Sequence, residues 1–203
     1  MCTRHTGPTP TMCASPVVAP GCWRSPASPR SCMVISQICP TLSVRSGLEF
    51  NDLTRPFHAG RAVPVDAERF AGSRPGQHLE QMDLRFEPGL SIFGGNDVAR
   101  VAGWMRPVDL DERVTVPWLI CAADFMPPSM AFRTDQPVKA ASVDFSVQLL
   151  CGDPAAAISP EEFLYGEMRS SISAEGFSVE DGTFWSPAGQ PLATSRQLRL
   201  AGV

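Results

Sequence analysis

The chain of 203 residues lacks both a run of basic residues and a long apolar run. Its 17 lysines and arginines are outnumbered by 21 aspartates and glutamates, which gives a formal net charge of −4. Since a basic patch is the usual mark of a nucleic-acid-binding surface, no nucleic-acid partner is expected. No apolar stretch approaches the roughly 20 residues of a membrane-spanning helix. The N-terminus shows no basic segment followed by an apolar one, so we expect no secretory signal. We therefore expect a cytoplasmic protein with no membrane partner.

The seven cysteines and three histidines lack the spacing of a metal site. Five of the cysteines fall in the first 39 residues, and no two have the close spacing that zinc motifs use. An odd number of cysteines without a secretory signal indicates reduced thiols. We therefore expect neither a metal ion nor an organic cofactor.

The N-terminal part differs in composition from the remainder of the chain. Residues 1–40 contain a proline every few residues, and proline removes a backbone donor and fixes φ. We expect this segment to be poorly ordered. The sequence "AERF" at 67–70 indicates a short helix, and "AGSRPGQ" at 71–77 is typical of a linker. Two regions are predicted: an atypical region rich in proline and cysteine over 1–78, and a folded domain over 79–203.

Regular patterns begin at residue 79. The sequence "TVPWLICAADFM" at 115–126 predicts a helix, because Thr115 can cap it and Pro127 and Pro128 stop it. Apolar residues occupy nearly all of its surface, so we expect the helix to be buried. Alternating patterns predict strands at 81–86, 99–106, 140–149, 163–173, 176–185 and 191–200. This order predicts an α+β domain in which an antiparallel sheet wraps around one buried helix.

The strand at 141–149, "ASVDFSVQL", alternates without a break. Its odd positions are apolar, and its even positions are Ser142, Asp144, Ser146 and Gln148. Such a period of two is typical of a half-buried strand with one polar face. That polar face either meets water or lines a reaction site.

Two further polar residues stand out against their surroundings. Asp124 is the only charged residue of the predicted helix and lies near its C-terminal end. Burial and the helix dipole would both favour the protonated carboxyl, which suits a general base. Alternatively, the helix end is exposed and Asp124 points to water. Gln197 lies on the face of the last strand opposite to its leucines, and a solvated face is the simpler interpretation of that pattern.

Four segments resemble, in order and with compatible spacing, the C-terminal half of the type II acyl-CoA thioesterases, the double-hotdog family. They are "CAADFMPP" at 121–128, "AASVDFS" at 140–146, "FLYGEMRSSISAEGF" at 163–177 and "GQPLATSRQ" at 189–197. The resemblance covers residues 79–203. It implies a hotdog fold, a curved antiparallel sheet around a long helix, and hydrolysis of acyl-CoA thioesters.

The resemblance also implies a set of catalytic residues. The family uses an aspartate near the end of the helix, a hydroxyl on the next strand and a glutamine on the last strand. By position these are Asp124, Ser142 and Gln197, with Asp124 taking a proton from water and the other two orienting that water. The implied substrate is an acyl-CoA, no cofactor is needed, and two hotdog domains are expected to pair, here as a homo-oligomer.

The sequence departs from the family pattern in three places. Phe145 replaces a histidine of the relatives, and Ser142 stands where a threonine is common. Residues 1–78 show neither the length nor the strand pattern of a first hotdog domain, so they are either disordered or a remnant of that domain. The alternative function is therefore a non-catalytic acyl-CoA-binding or assembly module. A hotdog hydratase ranks last, because that class relies on a histidine and none follows His78.

Overall fold

The computed structural model describes residues 53–70 and 81–202. The expected disorder of 1–40, the linker at 71–77 and the domain boundary after residue 78 lie outside these residues and stay predictions. The described elements are strands β1 (Met82–Phe86), β2 (Arg100–Pro107), β3 (Lys139–Leu149), β4 (Leu164–Ala174), β5 (Phe177–Trp185) and β6 (Pro191–Gly202), helices α1 (Val116–Phe125) and α2 (Met130–Arg133), and a 3₁₀ turn at Pro154–Ala156.

The six strands form one antiparallel sheet in the order β1-β2-β4-β5-β6-β3. We call the face that packs against α1 the inner face, and the opposite one the outer face. The inner core joins sheet and helix residues, among them Leu84, Val101, Met105, Leu119, Phe132, Met168 and Phe184. The predicted architecture, an antiparallel sheet around one helix, is confirmed, and every predicted strand overlaps an observed one.

Helix α1 begins and ends at the residues that the sequence indicates. The Trp118 amide donates to Thr115 Oγ1 at 3.4 Å, which satisfies one of the free donors of the first turn. The chain turns extended at Met126, and Pro127 and Pro128 cannot continue the helix. The C-terminal end of α1 is therefore fixed by local sequence.

The prediction that α1 is buried all round is wrong. Trp118, Leu119, Ile120, Ala122 and Ala123 are buried, but one stripe is exposed. That stripe consists of Pro117, Cys121 and Asp124. Residues three and four apart share a helix face, so the packing of the other side against the sheet leaves all three accessible.

Gly166 of β4 lies close to the side chain of the residue that follows α1. A Cβ at this position would be 2.8 Å from Met105 Cε and 3.1 Å from Sδ of Met126, the residue that follows α1. The flexible ends of the Met105 and Met126 side chains would have to shift to make room for it.

Residues 53–70 cover part of the outer face. The Phe70 amide donates to the Leu84 carbonyl at 2.7 Å, and Arg69 forms an isolated bridge with Arg85. The prediction of a helix at 67–70 is wrong, because these residues extend alongside β1 instead. A second apolar core lies beneath the segment and contains Ala59, Ala67, Ala102, Trp104, Tyr165 and Trp185.

Strand β3 contains a bulge that breaks the predicted alternation. Ser142 pairs with Arg199 and Phe145 pairs with Gln197, so β3 advances one residue more than β6 between the two pairs. Residues directly opposite each other share a face of the sheet, which puts Ser142 on the same face as Phe145. The prediction that Ser142 points the same way as Asp144 is wrong, because the extra residue at a bulge shifts the phase of the strand.

Candidate functional site

Asp124, Ser142 and Gln197 come together on the inner face, one each from α1, β3 and β6. Gln197 Nε2 donates to Asp124 Oδ1 at 2.8 Å, and the same nitrogen donates to Ser142 Oγ. Gln197 is fully buried at 0% exposure, Ser142 is half-buried and Asp124 is exposed. The amide therefore holds the carboxylate and the hydroxyl at a fixed separation, and the carboxylate stays accessible. We refer to these three residues as the trio.

The inner face of β6 is polar, and it is buried. Ser195, Gln197 and Arg199 are each at most 5% exposed, whereas Leu200 on the other face is exposed. The interpretation of the Gln197 face as solvated is wrong, because β6 lies between β5 and β3 and turns this face toward the end of α1.

Asp124 satisfies neither of the two expectations from sequence. The expectation that burial acts on its carboxylate is wrong, since the side chain is exposed. The carboxylate does not simply point to water either, because it accepts the hydrogen bond from Gln197. One turn earlier, partial burial and the nearby Asp124 carboxylate raise the pKa of the Cys121 thiol above its ordinary value. That thiol therefore stays protonated near neutral pH.

Gln197 Oε1 is buried and has no hydrogen-bond partner among the described residues. Buried polar groups nearly always have a partner, and leaving one unpaired costs about 1–3 kcal/mol. An amide oxygen accepts hydrogen bonds, so the group that suits this position is a donor such as a water O–H. Within the trio, the exposed acceptor is the Asp124 carboxylate, whereas Gln197 Oε1 is enclosed.

A second polar group, which the sequence interpretation missed, lies beside the trio. Glu180 of β5 is directly opposite Gln197, and Arg199 of β6 is directly opposite Ser142. Arg199 Nε donates to Glu180 Oε2, while Glu180 Oε1 accepts a hydrogen bond from the Ser129 amide. In sequence, this buried pair has the same alternating pattern as a solvated strand face. The pattern therefore held no signal that distinguishes a buried polar face from a solvated one.

The trio itself supplies a carboxylate, a hydroxyl and a primary amide. Within residues 53–70 and 81–202, no group of three or more His, Cys, Asp or Glu residues is arranged to hold a metal ion. No helix in those same two segments has the length and apolar character needed to cross a membrane.

Residues 56–201 match the family model of the acyl-CoA thioesterase C-terminal domain. The chain belongs to this family. The match contains all three residues of the trio and most of the segment that covers the outer face. No match to a curated protein was found.

Solved structures agree with this family on the fold. A hotdog-fold protein of unknown function from Alicyclobacillus acidocaldarius is 23% identical with a TM-score of 0.63, and the match covers 77% of this chain and 57% of that one. A protein assigned as a thioesterase from Novosphingobium aromaticivorans is 20% identical with a TM-score of 0.57, covering 77% and 57%. One assigned as a thioesterase II from Thermobifida fusca is 20% identical with a TM-score of 0.52, covering 76% and 59%.

These likenesses show the hotdog fold that the sequence predicts. The thioesterase family is shown by the match to the family model. The chain spans less than two thirds of the length of each of the three structures.

Proposed function

We propose that the protein hydrolyses acyl-CoA thioesters to a free acid and CoA, with Asp124, Ser142 and Gln197 positioning the attacking water. The observation that carries this proposal is the pair of hydrogen bonds from Gln197 Nε2. They gather a carboxylate and a hydroxyl from two other elements around one buried amide. Family membership supports the substrate class, because the family is one of acyl-CoA thioesterases.

The proposed reaction consumes one water and forms one acid and one thiol. The water donates a hydrogen to the Asp124 carboxylate, which Gln197 Nε2 holds together with Ser142 Oγ. As the water oxygen attacks the thioester carbonyl carbon, Asp124 takes the proton, and the carbonyl electron pair moves to oxygen. Collapse of this intermediate re-forms the carbonyl and breaks the carbon–sulfur bond. The CoA thiolate leaves with that electron pair and receives the proton from Asp124, which regenerates the carboxylate.

Gln197 and Ser142 contribute orientation in this scheme. Holding a water in line with the carbonyl removes much of the entropy cost of bringing the reactants together. Gln197 can do this through Asp124 and Ser142, because its side chain is fully buried and fixed by hydrogen bonds to both. The exposure of Asp124 leaves the front of the trio accessible to a substrate as large as an acyl-CoA.

We also propose that the active form contains a second hotdog domain, supplied by another copy of the chain. Strand β3, which carries Ser142, lies at the edge of the sheet in the described chain. An edge strand presents unpaired backbone donors and acceptors that suit another strand. A paired domain there would lie next to Ser142 and Asp124 and would enclose an otherwise open site.

The proposal is tested by thioester hydrolysis with a free-thiol readout across acyl chain lengths. Asp124→Asn should lower kcat by about 10²- to 10⁴-fold, the range typical of losing a general base. Its fold should survive, since the side chain is exposed. Asp97→Asn, an exposed aspartate remote from the trio in sequence, is the matched control and should keep wild-type kcat. Equal activity of Asp124→Asn and the wild type would contradict the role of Asp124.

The second candidate is a non-catalytic acyl-CoA-binding or assembly module. The observation that favours it is the exposure of Asp124, since the site lacks a covering surface in the described chain. Binding of acyl-CoA by a folded wild type that releases no thiol would support this candidate over hydrolysis.

A further inference from the structure

The polar group next to the trio contains a buried ion pair. Arg199 Nε donates to Glu180 Oε2, and the two residues are 5% and 1% exposed. Charges are almost never buried to this extent without a partner, and removing one member leaves the other uncompensated. The pair is therefore a fixed feature of the inner face.

Glu180 has a second contact that connects it with α1. Its Oε1 accepts a hydrogen bond from the backbone amide of Ser129. Ser129 follows Asp124 by five residues, and only the turn after α1 separates them. The segment that carries Asp124 is thus attached to β5 through Glu180.

The sheet register makes this attachment relevant to the trio. Glu180 lies directly opposite Gln197 across β5 and β6. Arg199 lies directly opposite Ser142 across β6 and β3. Opposite residues on one face have Cβ atoms about 4.5–5.5 Å apart. The ion pair therefore borders the trio on the sheet side, while Asp124 reaches the trio from the helix side.

We infer that Glu180 and Arg199 are positioning residues, which anchor the end of α1 so that Asp124 meets Gln197 and Ser142 at the geometry of the reaction. The part of this inference that concerns turnover rests on the proposed hydrolysis. Glu180 accepts the Ser129 amide, and Arg199 holds the Glu180 carboxylate in the orientation that this requires. An error of about 1 Å in such a site lowers rates by about 100-fold.

The same two strands supply a matched control on the outer face. Arg196 Nε and Nη2 donate to Asp181 at 2.7 Å and 3.0 Å, and these two residues lie directly opposite each other. Their side chains are 66% and 50% exposed. The outer pair has the same chemistry as the inner pair, but it does not reach α1 or the trio.

The test compares three double variants, chosen because a buried ion pair can often be replaced by apolar residues without loss of the fold. E180L/R199M removes both charges and the acceptor for the Ser129 amide. E180Q/R199M removes both charges but keeps an amide oxygen as acceptor. D181L/R196M makes the same replacements as E180L/R199M, but in the outer pair. Hydrolysis and amide hydrogen exchange over residues 125–130 are measured for each variant and the wild type.

We expect E180L/R199M to lose about 10- to 100-fold in kcat with little change in KM, and to exchange faster over residues 125–130. E180Q/R199M should recover part of both losses, because the Ser129 amide keeps an acceptor although Arg199 no longer orients it. D181L/R196M should match the wild type in both measurements.

Two results would overturn the inference. One is wild-type kcat and exchange in E180L/R199M. The other is an equal loss of kcat in E180L/R199M and E180Q/R199M without faster exchange. That result would mean that the charges matter for turnover and the hydrogen bond to the Ser129 amide does not. If the wild type itself releases no thiol, the proposed hydrolysis fails, and exchange alone decides on the anchor. Faster exchange in E180L/R199M would then support it, and unchanged exchange would reject it.

Discussion

Each face of the sheet carries an arginine–carboxylate network, and the two differ in how fully they are paired. On the outer face, Arg100 uses Nε, Nη1 and Nη2 to donate to two carboxylates and to the Tyr165 hydroxyl. On the inner face, Arg199 donates through Nε to Glu180, while its Nη2 is buried without a partner among the described residues.

The two faces also differ in the number of buried side-chain atoms that lack a hydrogen-bond partner. The described residues contain five buried side-chain atoms without a partner, and four of them lie on or beside the inner face, in Ser129, Ser195, Gln197 and Arg199. Each such atom lowers stability unless something else pairs with it. The fifth, Trp104 Nε1, lies in the outer core. The unpaired buried atoms are thus concentrated on the inner face, where the proposed site lies.

The largest expected effect comes from breaking the inner pair, Glu180 and Arg199, while leaving the outer pair, Asp181 and Arg196, intact. Glu180→Ala would leave the Arg199 guanidinium buried without a counter-charge. We expect it to lower the free energy of unfolding by about 3–5 kcal/mol, the cost typical of breaking a buried pair. Urea unfolding followed by circular dichroism measures this change.

Asp181→Ala is the control, because it removes the neighbouring carboxylate on the exposed face of the same strand. Its arginine partner remains in water, so the free energy of unfolding should stay near the wild-type value. Similar losses of unfolding free energy in Glu180→Ala and Asp181→Ala would show that the buried pair contributes no more to stability than the exposed pair.

A smaller effect is expected from the outer network, and it depends on pH. Burial alone would raise the pKa of Glu87, but hydrogen bonds from Arg100 and Tyr165 outweigh it and hold the pKa below its ordinary value of 4.5. Glu87→Gln should therefore be less stable than the wild type at pH 7 by about 1.5–3 kcal/mol, the value of hydrogen bonds to a charged group.

The sign of the pH effect follows from the direction of the shift. A carboxylate with a lowered pKa in the folded state contributes stability above its unfolded pKa and loses it as pH falls through the folded one. The difference in unfolding free energy between Glu87→Gln and the wild type should thus shrink as the pH falls from 4.5 through the lowered pKa. Urea unfolding at a series of pH values measures it, and a constant difference would contradict the assigned cause.

The elements of the fold could be predicted from the sequence because their signals are local. Thr115 caps α1 and two prolines end it, while the alternation of apolar residues reveals each strand. The burial of the inner faces of β5 and β6 could not be predicted. A polar strand face has the same period whether it meets water or a helix end, and only the packing of α1 decides between the two.

The site shows the same limit. The identities of Asp124, Ser142 and Gln197 followed from a resemblance, but the way Ser142 reaches the inner face did not. The unbroken alternation of residues 141–149 would have left Ser142 on the face of Asp144 and Ser146. The bulge reverses this, and a bulge depends on pairing with β6 rather than on the composition of β3.

The smallest of these effects tests the two faces within one strand. Ser142→Ala removes the hydroxyl that accepts from Gln197 Nε2, yet it leaves Asp124 in contact with the same nitrogen. We expect kcat to fall by about tenfold, equivalent to about 1.4 kcal/mol of transition-state stabilisation. Ser146→Ala makes the same chemical change past the bulge, at a residue opposite Arg196 on the outer face, and should keep wild-type kcat.

Steady-state hydrolysis of one acyl-CoA by Ser142→Ala and Ser146→Ala decides the matter. Equal rates would mean that the bulge does not bring Ser142 into the reaction, whereas a loss confined to Ser142→Ala would tie turnover to the inner face.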